Sequence, residues 1–146
     1  MEERYLITMQ KFMNSYYNFL EYKKDFKNIP DLKETYRQTL LSGYTKKFEI
    51  LFDQAWKAIH MFLVEYHGVT SFIKGSPRDT FKKAYELKII SDELWLDMLI
   101  DRNSWVHEYK EGEELEQYVI KIFEVYEPMY KNLCKVFIEH KSQLKR

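Results

Sequence analysis

Arg102, Asn103, His107 and Tyr109 fall within the stretch RNSWVHEY, which joins a fixed cation, an amide, a group that titrates near neutrality and a phenol. These residue types suit phosphate chemistry. General acid–base work needs a group that gains and loses a proton near the working pH, which a histidine can supply at neutral pH. A guanidinium meets the charge developing on the phosphoryl oxygens with paired charge-assisted hydrogen bonds, and Asn103 adds a donor. The set requires no metal and no organic cofactor. The same groups would hold a nucleotide without cutting anything, so residue identity leaves an enzyme and a binding subunit both open.

Geometry narrows this. At about 100° per residue, Arg102 falls on the apolar stripe marked by Trp95, Met98 and Leu99, with Trp105, Val106 and Tyr109 close to the same face. An arginine in a core position needs a carboxylate, a set of carbonyls, a second subunit or an anionic ligand, because a buried guanidinium without a partner costs several kcal/mol. A structural ion pair with an acid of a neighbouring helix is one solution, and an anion site is the other. His107 follows five residues later, about 140° around a straight helix. The two side chains share a pocket only if the helix ends or bends between them, or if a second copy of the chain brings its own His107 across a two-fold axis. Taken alone, a histidine near a helix end is favoured by the dipole, and Tyr109 reads as a core or rim aromatic.

The elements that carry this stretch follow from periodicity. Leu6, Met9, Met13, Tyr16 and Leu20 mark a first helix that ends before Asn28-Ile29-Pro30. A short, weakly amphipathic segment from about Asp31 to Ser42 leads to Gly43 as an expected helix stop. Phe48, Leu51, Phe52, Ala55, Trp56, Ile59, Leu63 and Tyr66 trace the strongest stripe, closed by Gly68. Ser76 as cap, Pro77 at the first helical position and Asp79 as the third residue of a capping box start a short helix to about Leu87. Ser91 as cap, with Asp92 and Glu93 at the positive end of the dipole, starts the helix that points Leu94, Trp95, Met98 and Leu99 inward and carries Arg102. After Gly112 a last helix presents Leu115, Tyr118, Ile122, Val125, Met129 and Leu133, with a kink expected at Pro128. The expected fold is all-α: an antiparallel up-and-down bundle of four to five helices, forming a single domain over residues 1–146.

Composition agrees. The chain of 146 residues is 45% hydrophobic and 17% aromatic, enough for one core, while 4 Gly and 3 Pro are too few for the turns of a small sandwich or barrel. The single Cys134 excludes an internal disulfide and a multi-cysteine metal site and reads as a small buried hydrophobe. A formal net charge of +0 supplies no long-range field toward nucleic acid or an anionic membrane. No apolar run approaches a membrane span and the amino terminus lacks a leader pattern, so a cytoplasmic location is expected.

Locally the balance is acidic. Between Asp92 and Glu116 the basic residues are Arg102 and Lys110, against Asp92, Glu93, Asp97, Asp101, Glu108, Glu111, Glu113, Glu114 and Glu116. A polyanion bound here has to borrow charge from Lys46, Lys47, Arg78, Lys82 or Lys83. The acids read either as a solvated face or as a docking surface that steers a basic partner.

The string Arg102, four residues, His107, one residue, Tyr109 resembles the R-x4-H-x-Y signature of HEPN domains, with Asn103 in the polar position often seen after the arginine. The resemblance is wider than the motif. KKFEILFDQAWKAIHMFLVEYHG, SPRDTFKKAYELKII and WLDMLIDRNSWVHEY look like successive blocks of the nucleotidyltransferase substrate-binding protein family, a branch of the HEPN class, and the likeness covers most of residues 1–137. It implies a helical bundle, usually a homodimer, encoded beside a minimal nucleotidyltransferase with which it forms a complex. In related toxin–antitoxin pairs the HEPN subunit is a metal-independent endoribonuclease, and the nucleotidyltransferase silences it by adding AMP to the motif tyrosine. Carried over by position, Arg102 and His107 are the catalytic pair, Arg102 and Asn103 hold nucleotide or RNA, and Tyr109 accepts AMP. Three functions are therefore in play: a nucleotidyltransferase-bound subunit, a ribonuclease, and an interaction module without chemistry.

Overall fold

The computed structural model describes residues 3–70, 75–107 and 111–145, and among these residues all regular structure is helical. Helix α1 spans Arg4–Lys27, and α2 spans Glu34–Met61 and continues into a π-helical turn at Phe62–Tyr66. Helix α3 is Pro77–Glu86, and α4 is Leu94–His107. Helix α5, Glu113–Lys121, passes through a second π-turn at Ile122–Tyr126 into α6, Glu127–Leu144.

Ring contacts give the directions. Tyr5 at the start of α1 stacks on Phe62 at the end of α2, whereas Phe26 near the end of α1 meets Tyr44, so these helices are antiparallel. Phe48 packs on Tyr126 and Phe62 on Phe137, so α2 runs parallel to α5 and α6. Trp95 meets Tyr130 and Trp105 meets Tyr118, so α4 runs against them. The result is the expected up-and-down bundle, with α3 as a short brace between α2 and α4. The predicted stripes supply its core: Met9, Met13, Phe48, Phe52, Ala55, Ile59, Trp95, Met98, Leu115, Ile122, Met129 and Leu133 are all buried. Fully burying side chains of this size contributes about 1.5–3 kcal/mol each. Cys134 is among them, its thiol pushed up to about 12 by burial.

Glu127, at the first position of α6, is the one carboxylate in the core of the described residues. It accepts the Tyr16 hydroxyl at 3.0 Å and the Lys23 ammonium at 3.3 Å, so its charge is neutralised and its oxygens are occupied.

Several local expectations change. Gly43 does not stop a helix: α2 runs through it, because Leu41, Tyr44, Thr45 and Phe48 continue the buried stripe and outweigh the roughly 1 kcal/mol that an interior glycine costs. The Ser76 cap is present, its hydroxyl accepting the Asp79 amide at 3.2 Å. For α4 the cap comes from Asp92, which accepts the Leu94 amide at 2.9 Å, rather than from Ser91. Leu94, Tyr66 and Val125 were expected inside and are exposed. At Pro128 the break is a widened turn: the proline ring crowds the carbonyl of Glu124, four residues back, and Glu124 lies in the π-turn. Each π-turn also shifts the phase of the stripe, which explains why Tyr66 and Val125 face outward.

Candidate functional site

Trp95, Met98 and Leu99 anchor α4 against the core, and Arg102, one turn beyond Met98, inherits the same face. Its guanidinium turns toward α2. One terminal nitrogen, Nη2, donates to Asp53 Oδ1 at 3.3 Å, and the group lies over the Phe52 ring, 5.3 Å from its centroid. The other, Nη1, donates to the side-chain oxygen of Asn103 at 3.2 Å.

A structural arginine predicts an ion pair, and one is present. It is a single-pronged contact, however, between a guanidinium side chain 25% exposed and an aspartate 42% exposed. Pairs of this kind contribute about 0.2–1 kcal/mol. The buried Nε has no partner among the described residues. Arg102 is therefore held in place but not used up.

Arg102 and Asn103 line one side of a groove of about 510 Å³, and Ser76, Pro77 and Arg78 at the start of α3 line the other. Leu96, Leu99 and Ile100 make its apolar floor. Arg78 is exposed and is the only one of the five suggested lenders of positive charge that lines this groove. Lys46 and Lys83 are engaged by Glu49 and Glu86, Lys47 lies over Tyr22, and Lys82 lines a separate cleft with Tyr85 and Asp92. Asp53 does not line the groove, which presents two guanidinium groups and an amide without a facing carboxylate.

Helix α4 is continuous from Leu94 to His107, so the bend that would let positions 102 and 107 converge is absent, and position 107 lies about 140° around the axis from position 102. Positions 96, 100, 103 and 107 instead form one stripe along α4, on which Ile100 is 65% exposed. The His107 side chain and Tyr109 lie outside the described residues.

On the other flank of α4, Asp101, Trp105, Glu113, Glu114, Tyr118 and Lys121 line a groove of about 470 Å³. Trp105 stacks on Tyr118 with centroids 4.7 Å apart. The Tyr118 phenol is pushed up by burial first and by Asp101 and Glu49 next, so it is a donor at neutral pH. Part of the acidic run is internally paired: Asp101 with Lys121 at 2.7 Å and with the Tyr126 hydroxyl, Glu116 with Arg37. Glu113 and Glu114 remain exposed.

Sequence reasoning did not find Asp53 or the Phe52 ring beneath Arg102. Phe52 sits on the strongest stripe of α2 and Asp53 on its solvent-facing edge, but which residues of α2 meet position 102 depends on how α2 rotates against α4. Among the described residues no metal-binding cluster occurs, and no helix is long and apolar enough to cross a membrane.

Compared with known proteins, the chain matches the family described as nucleotidyltransferase substrate binding protein like over residues 4–142. No curated protein matches it.

Proposed function

The chain belongs to the nucleotidyltransferase substrate-binding protein family, and on that premise we propose that it is a HEPN-type subunit that docks on a minimal nucleotidyltransferase and offers it a phosphate-bearing group from the α3–α4 groove. The observation that carries this reading is the wall formed by Arg78, Arg102 and Asn103, cationic and free of carboxylates, in a chain of zero net charge. A phosphate there can take the terminal N–H groups that Asp53 and Asn103 leave unused on Arg102. The exposed Glu113 and Glu114 on the opposite flank of α4 suit a basic partner surface, so nucleotide and partner approach the helix from different sides.

A second reading, a metal-independent endoribonuclease, is favoured by the terminal N–H groups left unused on Arg102 and by the exposed stripe through Ile100. A second copy packed on that stripe carries its position 107 to the edge of the groove of the first, which is what a catalytic Arg102–His107 pair requires of a straight helix. In that reading the chain is a homodimeric toxin, Asn103 holds the RNA with Arg102, and the partner silences it by adding AMP to Tyr109.

Co-expression with a minimal nucleotidyltransferase, taken from the neighbouring reading frame if one is encoded there, tests the first reading: a complex should survive purification, and two proteins that elute apart would remove it. For the second, RNA is incubated with the wild type, Arg102→Ala, His107→Ala and Ile100→Glu. Cleavage that falls at least about 100-fold in all three variants supports a dimeric nuclease, and equal cleavage by all four proteins, or by none, removes it. An intact-mass gain on co-expression that persists in Tyr109→Phe assigns the AMP elsewhere.

A further inference from the structure

A second groove, of about 630 Å³, lies at the far end of α2, roughly 20 Å along the helix from Asp53. Tyr66 and His67 at the end of the π-turn, Lys88 after α3, and Lys135, Glu139 and His140 on α6 line it. We propose that this groove binds a small ligand of the nucleoside-phosphate class, its planar ring on Tyr66 and its phosphates on Lys88 and Lys135. The proposal does not rest on the function assigned to the α4 groove.

Lys88 is the sharpest pointer. Helix α3 ends in a Schellman arrangement, the Ile89 amide donating to Ala84 O at 2.9 Å and the Lys88 amide to Tyr85 O at 3.0 Å. That closure places residue 88 at φ 62°, where glycine is the residue without steric cost, and it is the only positive-φ residue other than glycine among those described. A long cationic side chain therefore stands at a backbone position that local structure would give to glycine, and it lines the cavity. Strain of this kind concentrates at binding sites.

The remaining walls fit the same ligand. Neither Lys88 nor Lys135 has a carboxylate partner among the described residues, so both ammonium groups are available to an anion. Tyr66 is 50% exposed while its ring is fixed by Phe62 on a stacked contact and by His140 at 4.4 Å, which makes a rigid platform for a ring. The π-turn sets Tyr66 and His67 at the rim, a use such turns frequently serve. Glu139, which accepts the Gln143 side-chain amide at 3.3 Å, is the one acid on the wall, so the two lysines are in excess. The volume lies within the range of small-molecule sites.

Calorimetric titration of the purified protein with ATP tests the proposal, with pyrophosphate and adenosine as partial probes. ATP should bind, pyrophosphate and adenosine each more weakly, and Lys88→Gly and Lys135→Ala should each lose roughly tenfold in ATP affinity, the scale of one charge-assisted contact. Lys131→Ala, at an exposed α6 lysine that lines neither groove, should bind as the wild type does. Because glycine relieves the strain at position 88, the thermal midpoint of Lys88→Gly should stay level or rise while binding weakens. Absence of ATP binding, unchanged affinity in Lys88→Gly, or loss in Arg102→Ala alone would overturn the assignment, the last by placing the nucleotide in the α4 groove. Weakened binding accompanied by a lowered midpoint in Lys88→Gly would also overturn it, since Lys88 would then be a structural residue.

Discussion

Arg102 and Glu127 are both charged side chains at positions where a helix stripe asks for something apolar, and the bundle treats them in opposite ways. Glu127 is 4% exposed and enclosed: a hydroxyl and an ammonium fill its oxygens, and a helix start lies beneath it. Arg102 keeps a quarter of its side chain in solvent, touches its aspartate through one nitrogen, and leaves Nε bare. A buried polar group that is fully satisfied is part of the framework. One that is positioned yet under-satisfied has capacity left for a ligand, and this separates the two more clearly than burial alone.

The difference can be broken by mutation. Glu127→Ala strips the partner from a buried Tyr16 hydroxyl and from Lys23, and should cost about 3 kcal/mol. Urea denaturation reads this directly, and a loss below about 1 kcal/mol would put Glu127 in the same class as Arg102. His140 lies between the extremes. It is buried, paired with the Tyr5 hydroxyl at 2.9 Å, and able to take a charge. Burial lowers its pKa below the usual 6.5 and the adjacent His67 lowers it further, while burial lowers His67 too. The unfolded chain thus takes up these protons first, so stability is fully present above about pH 6.5 and falls as the pH drops below it toward the folded values. Glu65, Glu139, Lys88 and Lys135 are the other charged groups that face this end of the bundle, and replacing His140 by Gln should flatten the denaturation midpoint between pH 7 and 5. An equally steep curve in the variant would place the titration elsewhere. The smallest effect belongs to Arg102→Met: its single ion pair and ring contact should be replaced at a cost within about 1 kcal/mol, and a loss as large as that of Glu127→Ala would make Arg102 structural.

Much of the bundle was readable in one dimension because its evidence is periodic. The stripe on α2 and the Ser76-Pro77 start of α3 translate from sequence to structure with little change. Gly43 carries a local stop signal that the buried side chains on both sides of it override. The helix of the motif and the angle between positions 102 and 107 on it follow from angular arithmetic. The partner of Arg102 does not, since Asp53 stands 49 residues away and only the rotation of two helices selects it. The α2-end groove was invisible for a related reason: its lining comes from α2, α6 and the turn after α3, and a lysine at a left-handed position has no mark in the sequence.

Both long rods of the bundle contain a π-turn, at Phe62–Tyr66 and at Ile122–Tyr126. Such a turn closes its hydrogen bond over one residue more than an α-turn, so each rod holds a single surplus amino acid without losing its axis. Removing one residue there leaves an ordinary α-helix and turns everything downstream by about 100°. On α2 that rotation would carry Tyr66 and His67 away from their present side of the rod, and on the last helix it would swing Glu127 away from Tyr16 and Lys23. These turns therefore act as reading-frame marks for the bundle: a single-codon deletion at either one keeps the helix and scrambles which of its faces is inside.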